Sequence, residues 1–447
     1  MKLIETIKNI WKIEDLRKRL ATTFLFIVLY RFGCHVVLPG INPSDLEAMR
    51  NFTSGGLMQL LDMFSGGAFG QASIFALGIM PYITASIVIQ LAGMIMPSFQ
   101  KMQREGESGR MKLNQYTRYL TVFILLFQAP AYLANLQYQV NAAGGHAQIM
   151  NNWPMMIFLS LVLTAGAMMI MWLGEKMTDK GIGNGISIII LVGILARFPG
   201  AIVQEFTNRL GAAQGGLVMF LVEIVVLFAV TAGAVMLTQG TRKVPVQYAK
   251  RIVGNKQYGG ARQYIPLKVN AANVMPIIFA QALMFIPITL AGFGARQDAA
   301  GVGGWIARNF GDMNGVWYNI IYFLMIVAFT YFYTAITVRP TQMAEEMKKN
   351  SGFIPGIKPG KKTAEYLDSI MSRITLPGSL FLGIVAILPA FARYFGINQQ
   401  FAQFFGGTSL LITVGVVLDT LQQIETHLMM HHYDGLMKSG KLKGRNR

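Results

Sequence analysis

Three acidic side chains lie inside or at the ends of long apolar stretches of this sequence: Glu223, Asp419 and Glu425. Acidic groups within a membrane usually mark a path for protons or ions. Glu223 and Asp419 could therefore couple proton movement to the transport of a small solute. Two isolated acids are few for such a relay, although they do not exclude one.

Few other groups in the sequence offer chemistry. His427, His431 and His432 could share one helix face like metal ligands, but no acid or cysteine completes the set, so we expect no metal and no other cofactor. The patterns of phosphate loops, zinc proteases and serine hydrolases are absent, and GIGNG at 181–185 lacks the third glycine of a dinucleotide site. Cys34 is the single cysteine, which excludes a disulfide within the chain. We therefore predict a protein that is not an enzyme and that draws the energy for any transport from elsewhere.

The composition is typical of a membrane protein with many spans. Of 447 residues, 53% are apolar and 13% charged, and the mean hydropathy is +0.44. The net charge is +18, and the Lys and Arg residues lie mainly between the apolar stretches rather than among aromatic residues of one domain. This distribution argues against a nucleic-acid-binding protein. About 20 apolar residues cross a bilayer as a helix. The candidate spans are 20–38, 73–96, 116–138, 153–173, 183–203, 216–237, 271–291, 316–338, 374–392 and 407–427.

The basic residues orient these spans. The two chain ends and the loops near 97–115, 174–182, 239–270 and 339–373 carry 31 of the 39 Lys and Arg, whereas the opposite loops carry 6. By the positive-inside rule both termini are cytoplasmic, which an even number of spans satisfies. Between Thr241 and Ala271 there are seven Lys or Arg and no acid. Such a loop predicts a docking surface for an anionic soluble partner.

The topology predicts four parts. The N-terminal residues have no apolar run typical of a cleavable signal sequence. The spacing of Leu3, Ile7, Ile10 and Trp11 predicts an interfacial helix over 1–19, and a frayed terminus is the alternative. Two five-span halves of opposite orientation follow, which places a pathway at the interface of the halves. The predicted parts are 1–19, a first half over 20–203, a second half over 204–427 and a C-terminal tail over 428–447.

The apolar segment from Leu57 to Phe64 is too short to span and is followed by the glycine-rich break that starts at Ser65. Non-helical backbone at membrane depth survives only within protein or beside an aqueous cavity. A half-helix attached by glycines is a candidate for a movable stopper. The alternative is an external loop with one amphipathic turn.

Isoleucines recur beside breaks in the spans. Ile79 and Ile83 flank Pro81 in the span 73–96, Ile186 and Ile190 follow the glycines of GIGNG, and Ile278 follows Pro276. A ring of branched apolar side chains can seal a pore by excluding water. Isoleucines in membrane spans more commonly face lipid or neighbouring helices, and spacing alone does not decide between the two.

Five long segments resemble those of the SecY family, the channel subunits of the bacterial protein-conducting translocon. They are MFSGGAFGQASIFALGIMPYITASIVIQL (63–91), GEKMTDKGIGNGISIII (174–190), PLKVNAANVMPIIFA (266–280), GFIPGIKPGKKTAEYLD (352–368) and GGTSLLITVGVVLDT (406–420). The resemblance runs the whole length of the chain. It implies an all-α polytopic membrane protein with ten transmembrane helices in two inverted halves around an hourglass pore.

The resemblance also implies a function and partners. Unfolded secretory polypeptides with signal sequences would cross the bacterial cytoplasmic membrane, and hydrophobic segments would leave sideways into the membrane lipids through a lateral gate. SecE and SecG would complete a heterotrimer. The SecA motor ATPase or the translating ribosome, through its RNA, would dock on the basic loops and drive transport.

The family's functional positions map onto this chain through the matched segments. The pore ring would comprise Ile79, Ile83, Ile186, Ile190, Ile278 and Ile412. The stopper, or plug, would extend roughly from 57 to 67 and include Leu57, Leu60, Leu61, Met63, Phe64, Ser65, Gly66 and Gly67. The lateral gate would include Ser86, Gln90, Gln128 and Ile286. The docking surface would include Lys250, Arg251, Lys256, Arg262, Lys268, Arg339, Lys358, Lys361 and Lys362.

The chain departs from the family pattern in both docking loops. Lys358 stands in GIKPG where relatives commonly have GIRPG, and Gly254-Asn255-Lys256 stands where relatives often have paired arginines. Arg makes planar bidentate contacts that Lys cannot reproduce. Partner contacts at these positions are therefore expected to differ. The rival interpretation is a secondary transporter of a small solute.

Overall fold

In a computed structural model of the protein, the described residues are 13–41, 62, 65–142, 152–211, 216–248, 251–253, 256–258, 262–272, 274–281, 283–284 and 315–438. The chain divides into two compact units, one made of 1–203 and 416–447 and the other of 204–415. This division assigns the end of the last predicted span to the first unit. The predicted domain boundaries stay predictions, and residues 1–12 of the predicted interfacial helix lie outside the described residues.

Long apolar runs form the helices of the first unit because a helix satisfies its own backbone hydrogen bonds, as the hydrocarbon core requires. Large apolar side chains such as Phe24, Phe127 and Trp172 are exposed on them, which is typical of surface that meets lipid. The helices are α1 (Glu14–Cys34), α2 (Met80–Ile95), α3 (Pro97–Arg104), α4 (Glu107–Ala142), α5 (Trp153–Lys180) and α6 (Gly185–Gly211), the last continuing into the second unit.

The second unit combines helices with a small sheet. A further helical segment is described at 275–281 and 283–284. The helices are α7 (Gly216–Gln239), α8 (Val316–Thr337), α9 (Pro340–Lys349), α10 (Lys361–Tyr394), α11 (Gln399–Ala402) and α12 (Gly407–Lys438). The strands are β1 (Thr241–Tyr248), β2 (Arg251–Val253), β3 (Lys256–Tyr258), β4 (Arg262–Lys268) and β5 (Gly352–Phe353). From residue 416 onward, α12 belongs to the first unit.

The helices support the predicted polytopic membrane fold. Within the described ranges, seven helices are long and apolar enough to cross a membrane, and α2 with α3 makes an eighth if the pair, bent by 102°, counts as one broken span. Nine of the ten predicted spans have a helix of at least 16 residues at their position. For the predicted span 271–291, the residues after 284 lie outside the described part of the chain.

The second predicted span differs from its prediction at Pro81. The sequence suggested a span over 73–96 with Pro81 inside it, but α2 begins at Met80 and Pro81 lies in its first turn. Residues 65–78 instead form a series of turns and an isolated bridge. Proline is tolerated in the first turn because the N–H that it lacks would have no partner there. Pro81 therefore starts the helix rather than interrupting it, and that part of the prediction was wrong.

The basic loop over 239–270 contains a sheet that the sequence analysis did not predict. β1 pairs antiparallel with β4 and β5, with Thr241 opposite Lys268 and Gln247 opposite Phe353. Val244 and Val246 alternate into a core with Leu267 and with Met347 of α9. The predicted loops 239–270 and 339–373 therefore contribute to one sheet and one apolar core in the second unit.

Close packing in the first unit leads to a testable prediction at Gly166 of α5. A Cβ there would lie 2.2 Å from the carbonyl oxygen of Ile74. Gly166→Ala is expected to lower the free energy of unfolding by about 1–3 kcal/mol, the usual cost of overpacking. The measurement is thermal unfolding of the purified protein in detergent.

Gly200 of α6 provides the matched control, because a Cβ there would have no heavy atom within 4 Å. Gly200→Ala is expected to leave stability unchanged or raise it by up to about 1 kcal/mol through helix propensity. Equal unfolding temperatures for the two alanine variants would contradict this packing argument.

Candidate functional site

The first two candidate ring residues lie at the start of α2. Ile79 is the residue before the helix, and the backbone N–H of Ile83 donates to its carbonyl at 3.1 Å, one turn later. Ile79 is buried, with 2% of its surface exposed, whereas Ile83 is only partly buried. Ile83 is therefore the member of this pair whose side chain keeps exposed surface.

The turn at 181–185 positions the next two candidate ring residues. The N–H of Gly183 donates to the side chain of Gln423 at 2.8 Å, and the N–H of Gly185 donates to Thr178 Oγ1 at 2.8 Å. Gly183 has φ of +81°, a left-handed conformation that glycine adopts without steric cost. The turn thus fixes where α6 begins, with Ile186 partly buried and Ile190 buried.

Two more candidate ring residues belong to the second unit. Ile278 is partly buried and follows the turn at 274, and Ile412 near the start of α12 is 2% exposed. The two segments touch, since a Cβ on Gly415 would lie 2.7 Å from Val274 Cγ2. Each unit therefore contributes isoleucines from two segments. Their assignment to one ring stays a prediction.

The glycine-rich break after the candidate plug forms a tight structure, here called the Asp62–Gly70 turn (residues 62 and 65–70). The N–H of Gly70 donates to Asp62 Oδ1 at 2.7 Å, and the N–H of Gly67 donates to the Asp62 carbonyl at 2.8 Å. Ser65 Oγ also donates to that carbonyl, at 3.1 Å. Ser65, Gly66 and Gly67 are buried. The candidate plug residues Leu57, Leu60, Leu61, Met63 and Phe64 lie outside the described residues.

Neighbouring helices hold the Asp62–Gly70 turn in place. Tyr30 of α1 donates its hydroxyl to the Ser65 carbonyl at 3.1 Å, and Arg31 donates to the Gly66 carbonyl at 2.8 Å. From α6, Arg197 forms an ion pair with the carboxylate of Asp62. Tyr132 of α4 also donates its hydroxyl to the Phe69 carbonyl at 2.8 Å. The glycine break was predicted from the sequence, but these anchors were not.

Three of the four candidate gate residues are described. Ser86 and Gln90 lie one turn apart on α2, where Gln90 Nε2 donates to Ser86 Oγ at 3.2 Å. Gln128 lies on α4, which packs against α2, and all three are partly buried. Ile286 lies outside the described residues. Their role at a gate stays a prediction.

Glu223, the leading acid of the transporter hypothesis, belongs to a buried charge cluster. Arg209 donates to Glu223 Oε1 at 2.6 Å and to Glu205 Oε1 at 2.9 Å. Glu205 Oε2 accepts the backbone N–H of Asn398 at 2.9 Å. The side chains of Glu205, Arg209 and Glu223 are all at most 5% exposed. Arg209 therefore neutralises a charge that the sequence presented as an isolated acid.

The other groups singled out for chemistry are dispersed. Asp419 is exposed on α12, and His427 on the same helix is partly buried. The side chains of His431 and His432 are not described. No group of three or more His, Cys, Asp or Glu among the described residues could hold a metal ion.

The candidate docking residues are mostly exposed where their side chains are described. Thr363 donates its hydroxyl to the Lys358 carbonyl at 3.0 Å at the start of α10, which fixes the GIKPG turn. Lys250 and the side chains of Arg251, Lys256 and Arg262 lie outside the described part. The exposed members are Lys268, Arg339, Lys358, Lys361 and Lys362.

Comparison with known families supplies the identification. The SecY family model matches residues 73–421, well over half of the chain. The chain belongs to the SecY family. The protein translocase subunit SecY of Streptomyces griseus is 44% identical over 435 residues, which cover 96% of this chain and 98% of that protein. The resemblance to SecY seen in the sequence motifs is thereby confirmed, and the chain is a multi-pass membrane protein of a bacterial membrane.

Two solved structures share the SecY fold with this chain. One concerns the plug domain of the SecY protein, which stabilises the closed state of the translocation channel and maintains a membrane seal (TM-score 0.62, 19% identity, 92% of each chain). The other is Sec61 in the canine ribosome–channel complex from the endoplasmic reticulum (TM-score 0.58, 20% identity, 92% of each chain). At this identity the likeness shows the fold, and it confirms the predicted all-α polytopic class.

Proposed function

We propose that this SecY-family chain is the central channel subunit through which unfolded secretory polypeptides cross the membrane, and that it is not itself an enzyme. The observation that carries the proposal is the near full-length identity of 44% with a protein translocase subunit. The match covers 96% of this chain and 98% of that protein, so the proposal concerns the whole chain. The isoleucines that each unit presents at its helix starts support the same conclusion.

The proposed mechanism is passive and gated. A signal sequence intercalates at the lateral gate, beside Ser86, Gln90 and Gln128, and the plug leaves the pore. The isoleucine ring then closes around the polypeptide, because branched apolar side chains exclude water and ions from any remaining gap. Hydrophobic segments partition sideways into lipid, while hydrophilic segments continue across.

The driving force in this proposal comes from partners on the cytoplasmic side, where the positive-inside rule places both termini and the basic loops. SecE and SecG complete the channel, and SecA or the ribosome docks on the second unit's sheet and on the GIKPG turn. Exposed lysines such as Lys361 and Lys362 attract the phosphates of ribosomal RNA or an acidic motor surface. Docking through such contacts weakens as the salt concentration rises.

The secondary-transporter alternative finds no support in these observations. Arg209 holds Glu223 in an ion pair, and Asp419 is exposed on its helix. A proton relay needs an acid that gains and loses a proton as the carrier turns over, whereas Glu223 is held with Glu205 and Arg209 in one buried cluster.

Photo-crosslinking tests the polypeptide path. A photoreactive residue is placed at Ile83 and, separately, at Ile278, and reconstituted channels receive a precursor stalled during transport. Adducts are expected at both positions, and only when the precursor has a functional signal sequence and SecA has ATP. Val88 of α2, 45% exposed, is the matched control and should give far fewer adducts. Equal adducts at Val88 and Ile83, or none at Ile83 and Ile278, would overturn the proposed path.

A further inference from the structure

We propose that Thr23 of α1 and Gln423 of α12 are positioning residues that hold the start of α6 and so set the place of its two candidate ring residues. These are Ile186 and Ile190. The inference rests on the proposed function, since it assumes that the two isoleucines face the polypeptide path. It also gives a role to the GIGNG segment, here called the GIGNG turn (residues 181–185). All the residues concerned belong to the first unit.

Two hydrogen bonds join the GIGNG turn to helices that are distant in the sequence. The N–H of Ile182 donates to Thr23 Oγ1 at 3.1 Å, across 159 positions. The N–H of Gly183 donates to Gln423 Oε1 at 2.8 Å, across 240 positions. Both turn residues are buried, and a buried backbone N–H needs an acceptor. α1 and α12 therefore each supply one acceptor just before α6 begins.

Other hydrogen bonds of the turn are local. The N–H of Gly185 donates to Thr178 Oγ1 at 2.8 Å. Asn184 Oδ1 accepts the N–H groups of Ile186 and Ser187 at 3.1 Å and 3.4 Å. These bonds lie within α5, the turn and α6, so they move with that segment. The acceptors from α1 and α12 lie outside the segment and therefore fix its end relative to the rest of the unit.

The hydroxyl group of Thr23 is oriented to accept a hydrogen bond from the turn. It donates its hydrogen to the Arg19 carbonyl of its own helix at 2.9 Å, which leaves the lone pairs of the oxygen for the N–H of Ile182. Gly181 allows the close approach, since a Cβ there would lie 2.4 Å from Thr23 Oγ1. Thr23 is 8% exposed, so water does not readily replace it as the acceptor.

Gln423 makes the second contact from a more exposed position on α12. Water can therefore replace part of its bond to Gly183, and loss of the bond should loosen the turn without unfolding the unit. Gly183 has φ of +81°, and a Cβ there would lie 3.1 Å from Thr420 Oγ1, one turn before Gln423. The glycine thus lets α12 come close enough for the bond to form.

The two isoleucines follow the anchored residues at a short distance along the chain. Ile186 comes three residues after Gly183, and Ile190 lies one helical turn beyond Ile186. Because a helix rises about 1.5 Å per residue, a shift of the first turn of α6 moves both side chains directly. Ile186 also lies close to α5, since a Cβ on Gly174 would be 3.0 Å from Ile186 Cγ1. The position of the turn therefore decides the position of these side chains.

The test compares channels reconstituted with their partner subunits in proteoliposomes. Thr23→Val and Gln423→Leu each remove one acceptor, whereas Thr23→Ser and Gln423→Glu each keep one. Thr22→Val is the control for the first position, because the Thr22 hydroxyl donates to the Lys18 carbonyl of the same helix and does not contact the turn. Gln422→Leu is the control for the second, since Gln422 is exposed and its side chain bonds to no described residue.

Two measurements report on the start of α6. Ion leak is measured without precursor, and a photoreactive residue at Ile186 is compared with one at Ile83 in channels that hold a stalled precursor. Thr23→Val and Gln423→Leu are expected to raise the leak by about threefold to tenfold, the equilibrium shift that loss of one neutral hydrogen bond allows. They should lower adducts at Ile186 by a similar factor and leave adducts at Ile83 unchanged. The variants that keep an acceptor and both controls should behave as the parent.

The outcomes separate the positioning role from the proposed function. If the parent transports signal-bearing precursors but neither acceptor variant leaks more than its control, the positioning role is wrong and the channel function stands. The role is also wrong if Gln423→Glu leaks as much as Gln423→Leu, or if adducts at Ile186 and Ile83 fall together. Because Gln423 is exposed, its variants keep the test valid if Thr23→Val fails to accumulate. If the parent transports no polypeptide while its partners are shown to be bound, the proposed function itself fails.

Discussion

Replacing Arg209 with Met is expected to lower the free energy of unfolding by about 3–5 kcal/mol, the cost of leaving buried charge without its partner. Arg209 lies between Glu205 and Glu223, at 2.9 Å and 2.6 Å, and all three side chains are almost fully buried. Met fills a similar volume but donates no hydrogen bond. Two carboxylates would then face each other in an apolar unit with no positive charge between them.

The check is thermal unfolding of the purified variant in detergent, together with its accumulation in the membrane. Arg393→Met provides the control, because Arg393 is an exposed arginine of the same unit that pairs with no described acid. A triple variant that combines Arg209→Met with Glu205→Gln and Glu223→Gln should recover much of the lost stability, since it removes the charges together. An Arg209→Met protein as stable as Arg393→Met would show that the cluster contributes little.

The same cluster decides what Glu223→Gln should do to transport. Glu223 Oε2 has no partner among the described residues, while Oε1 accepts from Arg209. Gln at this position keeps an oxygen acceptor for Arg209 and removes the charge, so polypeptide transport is expected to continue. If Glu223→Gln abolished transport in a protein that still folds, a role of Glu223 in coupling proton movement to transport would be supported instead.

The membrane fold could be predicted from the sequence because a span must match the thickness of the bilayer and must pair its own backbone hydrogen-bonding groups. Few structures other than a helix of about 20 residues meet both conditions. A stretch such as 216–237 has one charged residue among apolar ones, and the helix Gly216–Gln239 follows from that fact alone. The small sheet could not be predicted in this way. Val244 and Val246 alternate over too few residues to distinguish a strand from a polar loop, and their partners Leu267 and Ile354 are distant in sequence.

The ion-pair partners of individual charged residues could not be predicted from the sequence either. Asp62 and Arg197 are separated by 135 positions, and no periodicity relates them. Arg209 lies in what the sequence presented as an outer loop, whereas α6 extends through it to Gly211 and carries the guanidinium to Glu223. The part of a helix that continues beyond its apolar stretch cannot be recognised from hydropathy. What could have pointed to the pairs is the scarcity of charge itself, because a charge in an apolar unit requires a partner.

Replacing Ile83 with Asn is expected to open an ion leak through channels that carry no polypeptide. Burying an isoleucine side chain contributes about 1.5–3 kcal/mol, so its loss from an apolar constriction corresponds to roughly a tenfold to hundredfold rise in leak. Ile83 is suited to this test because it is partly buried, whereas Ile79 and Ile412 are each 2% exposed. Asn at either of those two buried positions would destabilise the folded unit, so a leak from such a variant would not test the pore ring.

The measurement is ion flux from proteoliposomes, with Val88→Asn as the matched control on the same helix. Val88 is 45% exposed, so Asn there changes the polarity of α2 by a similar amount on a different face. A seal made by Ile83 responds to the first variant and not to the second. Equal leaks from both would mean that general loosening of α2, and not a ring, accounts for the flux. Ile278→Asn then extends the test to the second unit, because a ring drawn from both units must leak when either side is made polar.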